Sequence, residues 1–178
     1  GSAPGSQSVD FLRIATVQSG FHTYWVAETA ANGRELYFSF ASPTLSTAAN
    51  LVDVYPGVSS SRPAGLFDFN GSPYFWATGP GIGRELYRFD VNANQAFLVA
   101  DINLGAGSSS IGQERFVDHD YGTMAEVNGE LLFLVDEPTV AGLYKTTGTG
   151  ATLLKALTPV SAIDARRSLY TFSRGRIA

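Results

Sequence analysis

Apolar and aromatic residues fall in short clusters broken by Gly, Asn, Ser and Pro, and no window sustains the three-to-four spacing of an amphipathic helix. Such clusters predict β-strands. In the middle of the chain they predict four strands, near Gly65–Asn70, Ser72–Thr78, Arg84–Asp90 and Ala96–Ile102, with Asn70-Gly71 able to supply the two positive φ angles of a tight hairpin. The strand cores Thr23-Tyr24-Trp25-Val26, Tyr74-Phe75-Trp76-Ala77 and Leu132-Phe133-Leu134-Val135 stay apolar instead of alternating with polar residues, so both faces of these sheets are expected to be covered.

The strand pattern repeats. Gly33-Arg34-Glu35-Leu36-Tyr37 returns fifty residues later as Gly83-Arg84-Glu85-Leu86-Tyr87 and, reduced, as Gly142-Leu143-Tyr144. Two further registers agree: the turns Ser19-Gly20, Asn70-Gly71 and Asn128-Gly129, and the later strands Leu51–Val54, Leu98–Ile102 and Leu153–Leu157. After the first two copies come the serine-rich stretches Pro56–Ser61 and Gly105–Ser110.

Four antiparallel strands per unit of about fifty residues is the arithmetic of a β-propeller blade. The expected fold is therefore all-β, with blade 1 over 9–61, blade 2 over 62–110, blade 3 over 111–159 and a half blade, the first hairpin of a fourth, over 160–178. Residues 1–8, opening on Gly1-Ser2, read as a cloning scar or unstructured leader. Three and a half blades, or fourteen strands, fall short of the roughly four to eight that close a propeller. Left open, the arc would expose apolar faces and a sheet edge. A homodimer closing a ring of seven is the expected remedy.

Composition narrows the partners. The 178 residues carry a net charge of -4, with only two lysines, Lys145 and Lys155, among twelve basic residues, so no electrostatic footprint for nucleic acid or anionic lipid is present. No stretch approaches the roughly eighteen apolar residues of a membrane span. The absence of cysteine removes disulfides, thiolate zinc sites and thiol nucleophiles.

The Gly-Arg-Glu-Leu-Tyr units, with an Asn-Gly hairpin before them and an Asp-Ile run and Gly/Ser-rich turn after, resemble the bacterial ELWxxDGT repeat family, also described as hyalin-like repeats, over residues 9–178. Tyr37, Tyr87 and Tyr144 stand where that family has Trp, and Asp90-Val91-Asn92 and Thr147-Gly148-Thr149 replace its Asp-Gly-Thr. The resemblance implies a secreted or cell-surface bacterial protein with binding, adhesive or structural roles, and supplies no catalytic residues.

Candidate sites are few. Asp118-His119-Asp120 sits in an insertion of the third unit, and Asp118 and Asp120, with Glu126, are the oxygens a Ca²⁺ ion would take; the plainer reading is a polar turn. Gly79-Pro80-Gly81-Ile82-Gly83 imitates a phosphate loop, yet no helix follows it and it occupies a hairpin position. Trp25 and Trp76, each five residues after a turn glycine, read as packing between blades or as an aromatic platform for a sugar ring or peptide. Because Arg34/Glu35 and Arg84/Glu85 recur, they read as contacts copied in each blade, minor if exposed and important only in a buried network. Neither His22 nor His119 belongs to a nucleophile or metal motif.

The expected function is a non-catalytic interaction or structural module, binding protein or glycan through rim loops and pairing with a second copy through its open ends, with no cofactor. A calcium-stabilised adhesive module and a glycosidase-like hydrolase with carboxylates on different blades are the alternatives.

Overall fold

Strands alternate with turns and loops along the chain, and residues 11–15, 21–42, 44–109, 124–135, 137 and 139–158 are described in the computed structural model. They form twelve strands: β1 Phe11–Ala15, β2 Phe21–Thr29, β3 Gly33–Ala41, β4 Asn50–Val52, β5 Ala64–Phe69, β6 Ser72–Gly79, β7 Gly83–Asp90, β8 Gln95–Ala100, β9 Met124–Val127, β10 Glu130–Val135, β11 Gly142–Thr146 and β12 Thr152–Ala156. No helix occurs among the described residues. Residues 1–8 and the hairpin expected over 160–178 lie outside the described residues.

The strands make three four-stranded antiparallel sheets, β1-β2-β3-β4, β5-β6-β7-β8 and β9-β10-β11-β12, each in sequence order. Adjacent pairing follows from the turns. At Asn70-Gly71 and Asn128-Gly129 both residues have positive φ, at 53° and 76° and at 51° and 76°, which suits a two-residue hairpin whose twist matches its strands. In the second sheet the four strands fall within two residues of their expected limits.

The second sheet is buried on both faces. Phe75, Ala77, Tyr87 and Phe89 point one way, onto Tyr24, Val26, Leu36, Phe38 and Val52 of the first sheet. Tyr74, Trp76, Leu86 and Val99 point the other way, onto Met124, Leu131, Phe133 and Val135 of the third. Alternation along a strand therefore feeds two cores, which is why β6 reads as a continuous apolar run. The first strands of successive sheets also touch, β1 against β5 and β6, and β5 against β9.

Candidate functional site

Each residue of the repeated Gly-Arg-Glu-Leu-Tyr motif has a separate structural task. Gly33 and Gly83 have φ of +61° and +78°, and a side chain there would fall on the carbonyl oxygens of Ser59 and Gly107. The Arg34 and Arg84 backbone N–H groups donate to Ser60 Oγ at 2.9 Å and Ser108 Oγ at 3.0 Å. Leu36 and Leu86 are core residues with no exposed area. Tyr37 and Tyr87 stack on Trp25 and Phe75 across the sheet, with ring centroids 6.3 and 6.2 Å apart.

Glu35 and Glu85 are both 0% exposed. Oε1 of Glu35 accepts the Ser61 backbone N–H at 2.7 Å, and its Oε2 accepts the Val54 N–H at 3.2 Å and the Ser61 hydroxyl. Glu85 accepts the Ser109 hydroxyl at 2.7 Å and the Ile102 N–H at 3.2 Å. Burial pushes both carboxyls upward, to about 7 for Glu85; the donors oppose it, while the nearby charges of Asp53 and Asp101 add to it. The same serine turn grips the following sheet: Thr78 N–H donates to the Ser61 carbonyl at 2.7 Å, Glu137 N–H to the Ser109 carbonyl at 3.4 Å, and the Arg84 guanidinium to the Arg62 carbonyl at 2.6 Å. The motif and its serines thus form a clip that holds a loop to its own sheet and joins that sheet to the next.

Among the described residues the third unit has no such clip. Gly142 occupies the Glu position, where a side chain would meet Leu153 and Tyr144. One backbone tie survives: Leu157 N–H donates to the Ala141 carbonyl at 2.9 Å, as Arg62 does to Arg34 at 3.1 Å and Ser109 to Arg84 at 2.9 Å.

Cross-strand register separates the two tryptophans. Trp25 lies opposite Tyr37, as Phe75 lies opposite Tyr87 and Phe133 opposite Tyr144, whereas Trp76 lies opposite Leu86 and matches Val26 and Leu134. Trp25 and Trp76 are therefore inequivalent and sit on opposite face types. Trp76 is 0% exposed and meets Phe133 edge-on at 6.0 Å, so it has no surface on which to receive a ring; Trp25 is half-buried. Sequence reasoning missed this, although the fifty-residue offset of the Gly-Arg-Glu-Leu-Tyr motif itself carries Trp25 onto Phe75.

Glu126 is exposed on β9, and Asp118 and Asp120 lie outside the described residues. Among the described residues no three His, Asp or Glu side chains gather at a metal-binding distance. His22 packs beside Tyr24, Phe38 and Phe40, where burial lowers its pKa. Gly79–Gly83 is the β6–β7 turn, with Tyr87 Oη set against Gly79.

The clips also define a rim. The β2–β3 and β6–β7 turns and the described parts of the β4–β5 and β8–β9 loops lie on one side of the sheets; residues 29–33, 54–61, 79–83 and 102–109 contain no charged side chain, and the exposed Glu28, Asp53 and Arg62 flank them. Val58 and Leu104, at the loop tips, are 77% and 83% exposed. On the opposite rim the turns carry Asp68, Asp90, Glu126 and Glu130. No protein-family model matches the chain, and no curated protein matches it.

Proposed function

We propose that this chain is a non-catalytic β-propeller module that binds a protein or glycan partner through the rim that carries Val58 and Leu104, and completes its ring with a second copy. The carrying observation is the burial of Glu35 and Glu85: the most chemically distinctive residues of the repeat are consumed in joining one sheet to the next. The doubly covered second sheet and the contacts between successive first strands support reading the sheets as blades. Val58 and Leu104 give the rim an apolar contact surface at positions exempt from core packing. The resemblance to ELWxxDGT repeats supports a bacterial surface or secreted setting.

Sedimentation velocity across a dilution series tests the self-association. Two chains of 19.0 kDa, about 38 kDa together, are expected. A 19.0 kDa species at every concentration overturns this part of the reading.

A further inference from the structure

We propose that Asn128-Gly129, the turn between β9 and β10, is a site of spontaneous main-chain modification in the folded protein, where Asn128 converts to aspartate and isoaspartate, and that Asp68 and the first serine clip protect the chain's other two Asn-Gly pairs from the same reaction. The proposal concerns the chain alone and needs no partner. An asparagine followed by glycine is chemically labile, because a residue without Cβ lets its amide nitrogen swing onto the neighbouring side-chain carbonyl. Three such pairs occur, Asn32-Gly33, Asn70-Gly71 and Asn128-Gly129. Asn70 and Asn128 are exposed, and Asn32 is half-buried.

The chemistry requires only water. Base removes the Gly129 amide proton, and the nitrogen attacks Cγ of Asn128. The N–Cγ bond forms, the Cγ–Nδ2 bond breaks, and ammonia leaves with a proton returned by water. A five-membered succinimide remains. Water adding at Cγ reopens it to aspartate, and water adding at the main-chain carbonyl opens it to isoaspartate. One water is consumed and one ammonia released, with no oxidation or reduction.

The attack needs the Asn-Gly peptide plane to turn out of its folded position, and the three sites differ in what holds it there. Gly33 is locked by the clip: a side chain there would fall on the Ser59 carbonyl oxygen, and the next N–H, of Arg34, donates to Ser60 Oγ at 2.9 Å. Asn32 is tied as well, its own N–H donating to Thr29 Oγ1 at 3.1 Å. At Gly71 the attacking nitrogen is itself engaged, donating to Asp68 Oδ1 at 3.0 Å. That bond must break before the nitrogen can reach Cγ.

Asn128-Gly129 repeats the second site without its restraint. The two turns have the same backbone, with φ of 53° and 76° at Asn70-Gly71 and 51° and 76° at Asn128-Gly129, so conformation does not separate them. Glu126 stands two residues before Asn128, as Asp68 stands before Asn70, but it is exposed and among the described residues accepts nothing from Gly129. A side chain at Gly129 would meet nothing within 4 Å, so no neighbour blocks the rotation. Conversion places a new negative charge between Glu126 and Glu130. Isoaspartate also inserts a methylene into the main chain of the two-residue turn that sets Val127 opposite Glu130, loosening the register of the third sheet.

The test is incubation of the full-length folded protein in mildly alkaline buffer at physiological temperature. Peptide mass spectrometry that resolves aspartate from isoaspartate follows all three pairs, and released ammonia is measured in parallel. Asn128 is expected to convert at least about tenfold faster than Asn70 or Asn32, the least factor that releasing a hydrogen bond to a charged acceptor imposes. In strong urea the three rates are expected to converge. Asp68→Ala is expected to bring Asn70 to the rate of Asn128 and leave Asn128 unchanged, with near-ultraviolet circular dichroism confirming the fold. An unreactive Asn128, or an Asn70 that converts as fast in the native wild type, overturns the proposal. Rates that stay apart in urea overturn the structural cause, and a slow Asn70 in Asp68→Ala overturns the role of Asp68. Should that variant fail to fold, native-state hydrogen exchange decides: Gly71 N–H is expected to exchange more slowly than Gly129 N–H, and equal protection overturns the ranking.

Discussion

Moving from pH 8 to pH 5 is expected to stabilise this protein, and Glu85 is the main cause. Its carboxyl is 0% exposed, and burial raises it from 4.5 to about 7 against the opposing donation from Ser109 and Ile102. A carboxyl whose folded value is raised favours folding fully below its unfolded value and loses that contribution as pH rises through the folded one. At about 1.4 kcal/mol per pH unit, the interval from 4.5 to about 7 corresponds to about 3 kcal/mol, most of which falls between pH 5 and pH 8. Urea unfolding at fixed protein concentration, followed by tryptophan fluorescence, measures it because Trp76 is buried. Glu85→Gln separates the contribution: its amide oxygen can accept from the Ile102 N–H while its NH₂ donates to Ser109 Oγ. The variant should keep most of the wild-type stability at pH 5, exceed it at pH 8, and show a slope reduced to what Glu35 and the remaining groups contribute. Wild-type stability that rises from pH 5 to pH 8, or a variant with the wild-type slope, would refute the assignment.

Other outcomes follow from the same contacts. Trp76→Ala should cost about 3–5 kcal/mol in urea unfolding, because it empties a site between the second and third sheets. Ser109→Ala removes a hydroxyl donor from a buried carboxylate and should cost about 1.5–3 kcal/mol, with faster hydrogen exchange in the β8–β9 loop. Gly83→Ala places a methyl against the Gly107 carbonyl and should dislodge that loop, while Gly57→Ala, with nothing within 4 Å, should cost only the roughly 1–2 kcal/mol of its left-handed backbone; paired thermal melts compare them.

Strands and turns were legible because the signals that set them are local: Asn-Gly pairs, short apolar clusters and a motif copied at fifty residues. The doubly buried second sheet was also legible, since Tyr74-Phe75-Trp76-Ala77 has no polar alternate. The role of Glu35 and Glu85 was only half visible. Their repetition signalled a copied contact, but their partners Ser61 and Ser109 lie 26 and 24 residues away, and nothing local announces that a glutamate will be buried beneath a serine turn. Trp25 and Trp76 misled because turn glycines are a poor ruler: one residue of difference between turn and strand exchanges the two faces of a sheet. The exposed Val58 and Leu104 escaped notice because an apolar residue in a Gly/Ser loop has the same composition whether it packs or points outward.

Small-angle X-ray scattering of the wild-type protein tests ring completion by a second copy most directly. Scattering mass of two chains with a radius of gyration of about 20 Å, as for a compact body of that size, is the predicted result. A single-chain mass with a radius near 16 Å, or a two-chain mass with a radius well above 25 Å as for arcs joined at one end, would contradict it.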